Sequence, residues 1–254
     1  MTPRFFIDPA SAALAPHVEM PLPDGVSRHA VQVLRLRDGD AVTLFDGRGG
    51  EYTGTLVVRG RTAAAAVGAH VGVERESPHA VTLVQAIVAP DVMDWIVRKA
   101  VELGAAGVAP VVSSRTQRAP AGRLDRRLER WRQIAIAACE QCGRNRVPAV
   151  DAPVSFEEWT RTQPSLSGAV LLDPSAPASL ADTTRVATVS TVLVGPEGGF
   201  VPDEVAAARA AGLATAHLGV RILRAETAAL AMLAAWLAVP ETNSRDERGT
   251  GDRP

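Results

Sequence analysis

From Ala80 to about Val239 the chain alternates strand-length apolar runs with helix-length amphipathic ones, and few folds satisfy that alternation. Val81 to Val88 is nearly continuously apolar, the mark of a strand covered on both faces. Met93, Ile96, Val97, Ala100 and Val101 then recur at i, i+3, i+4, i+7 and i+8, which predicts an amphipathic helix. Asp91 is its expected N-cap, Asp94 the capping-box partner, and Gly104 its end. Val108 to Val112 reads as a second strand, and Pro110 assigns it to an edge or end position. Arg123 to Cys142 reads as a long helix, with Leu128, Trp131, Ala135, Ala138 and Cys142 on one face. Further strands are expected at Ala169–Leu172, Val189–Val194 and Ala214–Leu218, and helices at Pro202–Ala211 and Glu226–Val239. Strands alternating with helices make an α/β domain with a largely parallel sheet. The last helix is apolar nearly all round (Leu230, Met232, Leu233, Trp236, Leu237), so it must be buried in a core or in a subunit interface.

The first part of the chain has another texture. Short β-like runs, Ala41–Phe45 and Thr53–Val58, are separated by Asp38-Gly39-Asp40 and Asp46-Gly47-Arg48-Gly49-Gly50, which read as turns. A short helix is expected over Arg28–Leu36. This predicts a small barrel or sandwich over residues 1–74, a polar linker at Glu74-Arg75-Glu76-Ser77-Pro78, the α/β domain over 78–240, and a disordered polar tail over 241–254. With 254 residues, 46% of them hydrophobic, the chain can bury a substantial core. No run of about 18 apolar residues reads as a membrane span. The N-terminus lacks the apolar stretch of a secretory signal. With only two cysteines a disulfide framework is excluded, and the expected location is the cytoplasm.

Three segments could carry chemistry. Leu193-Val194-Gly195-Pro196-Glu197-Gly198-Gly199-Phe200 takes a strand into a glycine turn and on to a helix. Ligands of open α/β sheets bind at such strand ends, and glycine lets the backbone approach them closely; a tight turn without a ligand is the alternative. The pattern is neither G-x-G-x-x-G nor a phosphate-binding P-loop. Leu218-Gly219-Val220-Arg221-Ile222-Leu223-Arg224-Ala225-Glu226-Thr227-Ala228 repeats the strand–glycine–helix plan. It sets two arginines near a helix N-terminus, where the dipole disfavours cations; either an anion lies nearby or Arg224 pairs with Glu226. Third, Ser113 to Val150 holds Arg115, Arg118, Arg123, Arg126, Arg127, Arg130, Arg132, Arg144 and Arg146 against Asp125, Glu129 and Glu140 only. That excess is a plausible phosphate footprint, against the alternative of a solvated helix face. Cys139-x-x-Cys142 sits at a helix end without further ligands, which favours core thiols over redox or zinc roles. No metal site is expected.

These segments, in their order, resemble the bacterial 16S rRNA (uridine-N3)-methyltransferases of the SPOUT superfamily. Gly195–Phe200 and Leu218–Ala228 carry the likeness. So do Lys99-x-x-Glu102-Leu103-Gly104, Arg130-Trp131 and Glu140-Gln141-x-x-Arg144-x-x-x-Pro148. Arg4-Phe5-Phe6 and His29-x-x-x-Val33-Leu34-Arg35-Leu36-x-x-Gly39-Asp40 resemble the family's PUA-like RNA-binding domain. One departure stands out: the family often has a Lys where Ala89-Pro90-Asp91 stand here.

The resemblance implies a trefoil-knotted parallel-sheet domain behind a PUA-like β-barrel, a homodimer, and S-adenosylmethionine as cofactor. It implies methylation of N3 of a uridine in 16S rRNA of the small ribosomal subunit. The expected cofactor-binding residues are Leu193, Gly195, Pro196, Glu197, Gly198, Gly199, Leu218, Gly219, Ile222, Leu223, Thr227 and Ala228. Arg224 is the candidate cation facing the uracil anion, with Glu226 as its orienter or as the base. The candidate RNA contacts are Arg4, His29, Arg35, Arg115, Arg144 and Arg146. Two rival readings are a SPOUT enzyme acting on another RNA or base, and a non-catalytic ribosome-assembly factor that binds RNA. The intact glycine segments argue against the second.

Overall fold

A computed structural model describes residues 2–60, 62–116, 123–186 and 189–237; the expected tail and Arg118 lie outside them. In chain order the first part comprises β1 (Arg4–Phe6), β2 (Glu19–Pro21), α1 (Asp24–Arg28), a π-helical turn (His29–Val33), β3 (Ala41–Phe45), β4 (Glu51–Arg59) and β5 (Thr62–Val71). The helix expected over Arg28–Leu36 therefore starts earlier and ends as a π turn, closed by Arg35 at φ 55°. The five strands form one sheet in the order β1-β3-β4-β5-β2, mostly antiparallel, with Phe5, Ile7, Leu44 and Leu56 in its core.

The second part continues with β6 (Thr82–Ala86), α2 (Pro90–Glu102), β7 (Gly107–Val112), α3 (Arg123–Cys142), β8 (Ala149–Val150), β9 (Val154–Ser155), α4 (Phe156–Thr162), β10 (Ala169–Leu172), α5 (Leu180–Val186), β11 (Thr191–Val194), α6 (Pro202–Ala210), β12 (Ala214–Ala216) and α7 (Ala225–Leu237). The strands pair in parallel in the order β12-β10-β11-β6-β7-β8, and β9 also joins β7. Both faces are covered, as the unbroken apolar strands require. Trp131, Met93, Ile96 and Met232 from α2, α3 and α7 pack on one face; Phe156, Trp159 and Ala208 from α4 and α6 pack on the other. Only one side of α7 is buried (Ala225, Ala229, Met232, Leu233, Trp236), while Ala231, Ala234 and Ala235 are exposed.

Two local expectations are corrected. Helix α2 begins at Pro90 with Ala89 as N-cap and no side-chain cap, so Asp91 lies inside the first turn. Proline suits that first position because its missing N–H would be unsatisfied anyway. Asp94 is no capping partner: it is buried and accepts from Arg130 Nε at 2.6 Å. Pro110 lies in the middle of the sheet, not at its edge. It is tolerated because β8 pairs with Gly107 and Val108 whereas β9 pairs with Val111 and Val112. The residue without an N–H thus falls in the gap between two short partner strands.

The polar stretch expected to be a linker is an ion-pair clasp between the two sheets. Glu74 pairs with Arg146 at 3.2 Å and accepts from Gly50 N–H. Arg75 pairs with Glu51 at 3.0 Å and donates to Gly143 O. Glu76 accepts from Nε and Nη2 of the Arg144 guanidinium, one oxygen to each. Phe45 crosses into the core of the α/β part, and Phe6 N–H donates to Glu140 at 2.9 Å.

Burial acts to raise the Glu51 carboxyl, but hydrogen bonds from Arg75 and Arg4 outweigh it and hold the group at about 2, below its usual 4.5. Its share of the clasp is therefore present above pH 4.5 and is lost as pH falls toward 2. Burial pushes Glu140 the other way, so its share is strongest in acid. In denaturant titrations across that acid range, the native chain is expected to lose more stability than Glu51→Gln. Parallel losses would remove Glu51 as the acid-sensitive group.

Candidate functional site

Three adjacent parallel strands, β12, β10 and β11, end side by side, and their following turns enclose a cavity of about 320 Å³. Turn one is Asp173-Pro174, turn two runs from Gly195 to Phe200, and turn three runs from His217 to Leu223; Ala225 and Ala228 of α7 close the wall. The volume and the mostly apolar lining suit a small organic ligand. Glycine is needed in turn two because of close approach. A Cβ on Gly195 would lie 3.1 Å from Phe200 N and 3.2 Å from Gly199 Cα, both backbone atoms that cannot move aside cheaply. Gly195→Ala should therefore cost about 1–3 kcal/mol in stability, read by thermal unfolding, and weaken ligand binding, read by calorimetry. An unchanged melting temperature would show that the turn has slack.

The turns are braced from below. Gln85, fully buried on β6, directs its amide N–H₂ to Ala86 O at 2.9 Å and to Val194 O and Gly195 O at 3.4 Å. Arg115 donates to Gly198 O. Glu204 accepts from Val201 N–H at 2.9 Å and from Ser114 N–H at 2.7 Å, tying the segment after β7 to the start of α6. Two carboxylates, Asp173 and Glu197, share the lining with Arg221 and His217, so the pocket can meet a ligand that carries both signs of charge.

Arg4 and Arg144 belong to the junction between the sheets. Arg144 is 4% exposed; besides Glu76 it donates to Val101 O at 2.9 Å and Ala105 O at 3.0 Å, closing the end of α2. Arg4 pairs with Glu51 at 2.6 Å, donates to Asn145, and stacks over Phe45 at 5.0 Å. His29, Arg35, Arg115 and Arg146 are exposed. Cys139 is buried against Arg146 O at 3.6 Å, and burial pushes its thiol up to about 12. Among the described residues no His, Cys, Asp and Glu cluster could hold a metal ion, and no helix is long and apolar enough to cross a membrane.

A family model of the RNA methyltransferase domain matches residues 75–237, and one of the RNA methyltransferase PUA domain matches residues 22–67. The ribosomal RNA small subunit methyltransferase E of Mycobacterium tuberculosis is 33% identical over 214 residues, covering 82% of this chain and 81% of the relative. The chain belongs to the ribosomal RNA small subunit methyltransferase E family. The methyltransferase E of Synechocystis sp. is 32% identical, covering 83% of this chain and 70% of the relative. The crystal structure of the Neisseria gonorrhoeae methyltransferase E, bound to S-adenosyl methionine, superimposes with a TM-score of 0.84 at 37% identity, covering 92% of this chain and 96% of that one. A putative methyltransferase of Legionella pneumophila, in complex with the same cofactor, gives 0.87 at 30% identity over 94% and 98% of the two chains.

Within this methyltransferase E fold, the cavity gathers most of the residues expected to bind cofactor: Gly195, Pro196, Glu197, Gly198, Gly199, Leu218, Gly219, Ile222, Leu223 and Ala228. Leu193 is not among them. It is fully buried on the opposite face of β11, because neighbours along a strand alternate sides, and Val194 faces the cavity instead. Thr227 is exposed and lies off the cavity wall, as does half-buried Glu226. Arg224 is exposed between the lining residues Leu223 and Ala225. Sequence reasoning missed Leu171 to Pro174 and His217. The first had a readable signal, an apolar strand broken by Asp-Pro; the second had none.

Proposed function

We propose that the chain transfers the methyl group of S-adenosylmethionine to N3 of a uridine in the 16S rRNA of the small ribosomal subunit, in the cytoplasm. The observation that carries this reading is the cavity at the ends of three adjacent parallel strands, in a chain whose Neisseria gonorrhoeae relative was bound to that cofactor. The residues present fit the group. Gly195 lets the turn fold tightly on itself along the cavity wall, and Asp173 and Glu197 in that wall suit a ligand bearing a cation.

When bound, S-adenosylmethionine supplies an electrophilic methyl carbon on a sulfonium. The turns at 195–199 and 218–223 hold the adenosyl part and exclude water, so two reactants meet in fixed geometry. Uracil N3 must lose its proton before it can attack. Arg224 stabilises the resulting anion, and Glu226 orients Arg224 or accepts the proton. Among the described residues Arg224 has no ion-pair partner, which leaves its charge available. RNA contacts are proposed for the exposed His29, Arg35, Arg115 and Arg146. Arg4 and Arg144 enter this scheme as the residues that hold the two sheets together.

The domain limits of 1–74 and 78–240 belong to the same proposal. So does the trefoil knot that the resemblance implies. A homodimer is proposed through α2 and α7, where Trp95, Ala231, Ala234 and Ala235 are exposed. The test incubates the purified chain with labelled S-adenosylmethionine and small subunits from cells lacking its gene, followed by nucleoside mass spectrometry. Label as 3-methyluridine in 16S rRNA is expected. Label in another nucleoside or RNA would overturn the substrate, and no label without cofactor binding would overturn the reading altogether.

A further inference from the structure

We infer that His217 is a positioning residue of the cofactor cavity: its imidazole holds the third turn in the shape that closes the pocket. The inference rests on the cofactor reading above. The backbone of His217 is clamped on both sides, with its N–H donating to Ala178 O and its C=O accepting from Leu180 N–H, each at 2.9 Å. The residue therefore presents its side chain from a fixed base. Nδ1 of that side chain accepts the Gly219 N–H at 3.0 Å. Among the described residues, this is the one hydrogen bond made by the segment 218–223.

That segment has little else to define it. Gly219 turns at φ 100°, and Val220 and Ile222 are 96% and 86% exposed. Yet Leu218, Gly219, Arg221, Ile222 and Leu223 all line the cavity. A loop that lines a binding site while making a single internal bond depends on that bond for its pre-organisation, and freedom lost on binding weakens affinity. The arrangement copies the way an Asn or Asp side chain accepts an N–H two residues on, with an imidazole as the acceptor. Nδ1, as the acceptor of that bond, carries no proton.

The mimicry gives the test. S-adenosylmethionine is titrated by calorimetry into the full chain and into His217→Ala and His217→Asn, and exchange of the Gly219 amide is followed in the same proteins without ligand. His217→Ala is expected to bind about fivefold more weakly, the scale of one neutral hydrogen bond, and to exchange the Gly219 amide faster. His217→Asn, whose Oδ1 can accept the same N–H, is expected to restore both. Wild-type affinity and protection in His217→Ala would overturn the inference, as would an Asn variant no better than the Ala variant. If the native chain bound no S-adenosylmethionine, the cofactor reading would fall, and Gly219 exchange would still decide whether His217 holds the turn.

Discussion

Arg144→Met is expected to lower the unfolding free energy by about 3–5 kcal/mol, the range for removing one partner of a buried ion pair. Arg144 is 4% exposed, and its guanidinium satisfies four acceptor atoms at once: both carboxylate oxygens of Glu76 and the carbonyls of Val101 and Ala105. Removing it leaves a carboxylate unpaired and two carbonyls unsatisfied near the end of α2. Methionine fills the volume, so the loss reports the charge and not a cavity. Chemical denaturation measures it, and adding Glu76→Gln should recover part of it by removing the stranded charge. The reading of Arg144 as an RNA contact expects instead that Arg144→Glu weakens RNA binding and leaves cofactor binding intact. That result would return Arg144 to the RNA surface.

Arg224→Ala is expected to reduce turnover by about 10²–10³, the usual effect of deleting a preorganised group that meets developing charge. Cofactor affinity should hold, because Leu223 and Ala225 line the cavity and the Arg224 side chain does not. The guanidinium stands exposed at the start of α7, where the helix dipole disfavours it unless an anion arrives. A uracil losing its N3 proton is such an anion. Single-turnover methylation at saturating cofactor separates the chemistry from binding. Native turnover would remove Arg224 from the reaction.

The parallel sheet was legible because burial on both faces writes itself as unbroken apolar runs, and the C-terminal end of α3 at Cys142 was readable to the residue. The glycine turns were legible because the backbone packs so closely at Gly195 that a Cβ there would be crowded. Windowed charge counting could not show that Arg144 and Arg146 have acidic partners: Glu76 and Glu74 lie outside the arginine-rich stretch and meet it only through the fold. Pro110 was misjudged for a similar reason, since nothing local to it shows that β8 and β9 leave a gap. His217 could not have been found from spacing, because its role is to receive a backbone N–H from a turn whose shape exists only once folded.

The clasp of Glu74, Arg75 and Glu76 changes how target choice must work. A floppy tether would let the RNA-gripping end roam and would leave selection to the nucleotides each end touches. Three consecutive residues pinned to Arg146, Glu51 and Arg144 instead make the two ends behave like the jaws of a caliper. On the RNA contacts proposed above, the substrate would be chosen by the distance and angle between its grip point and its target base, so a correct sequence in the wrong fold would be rejected.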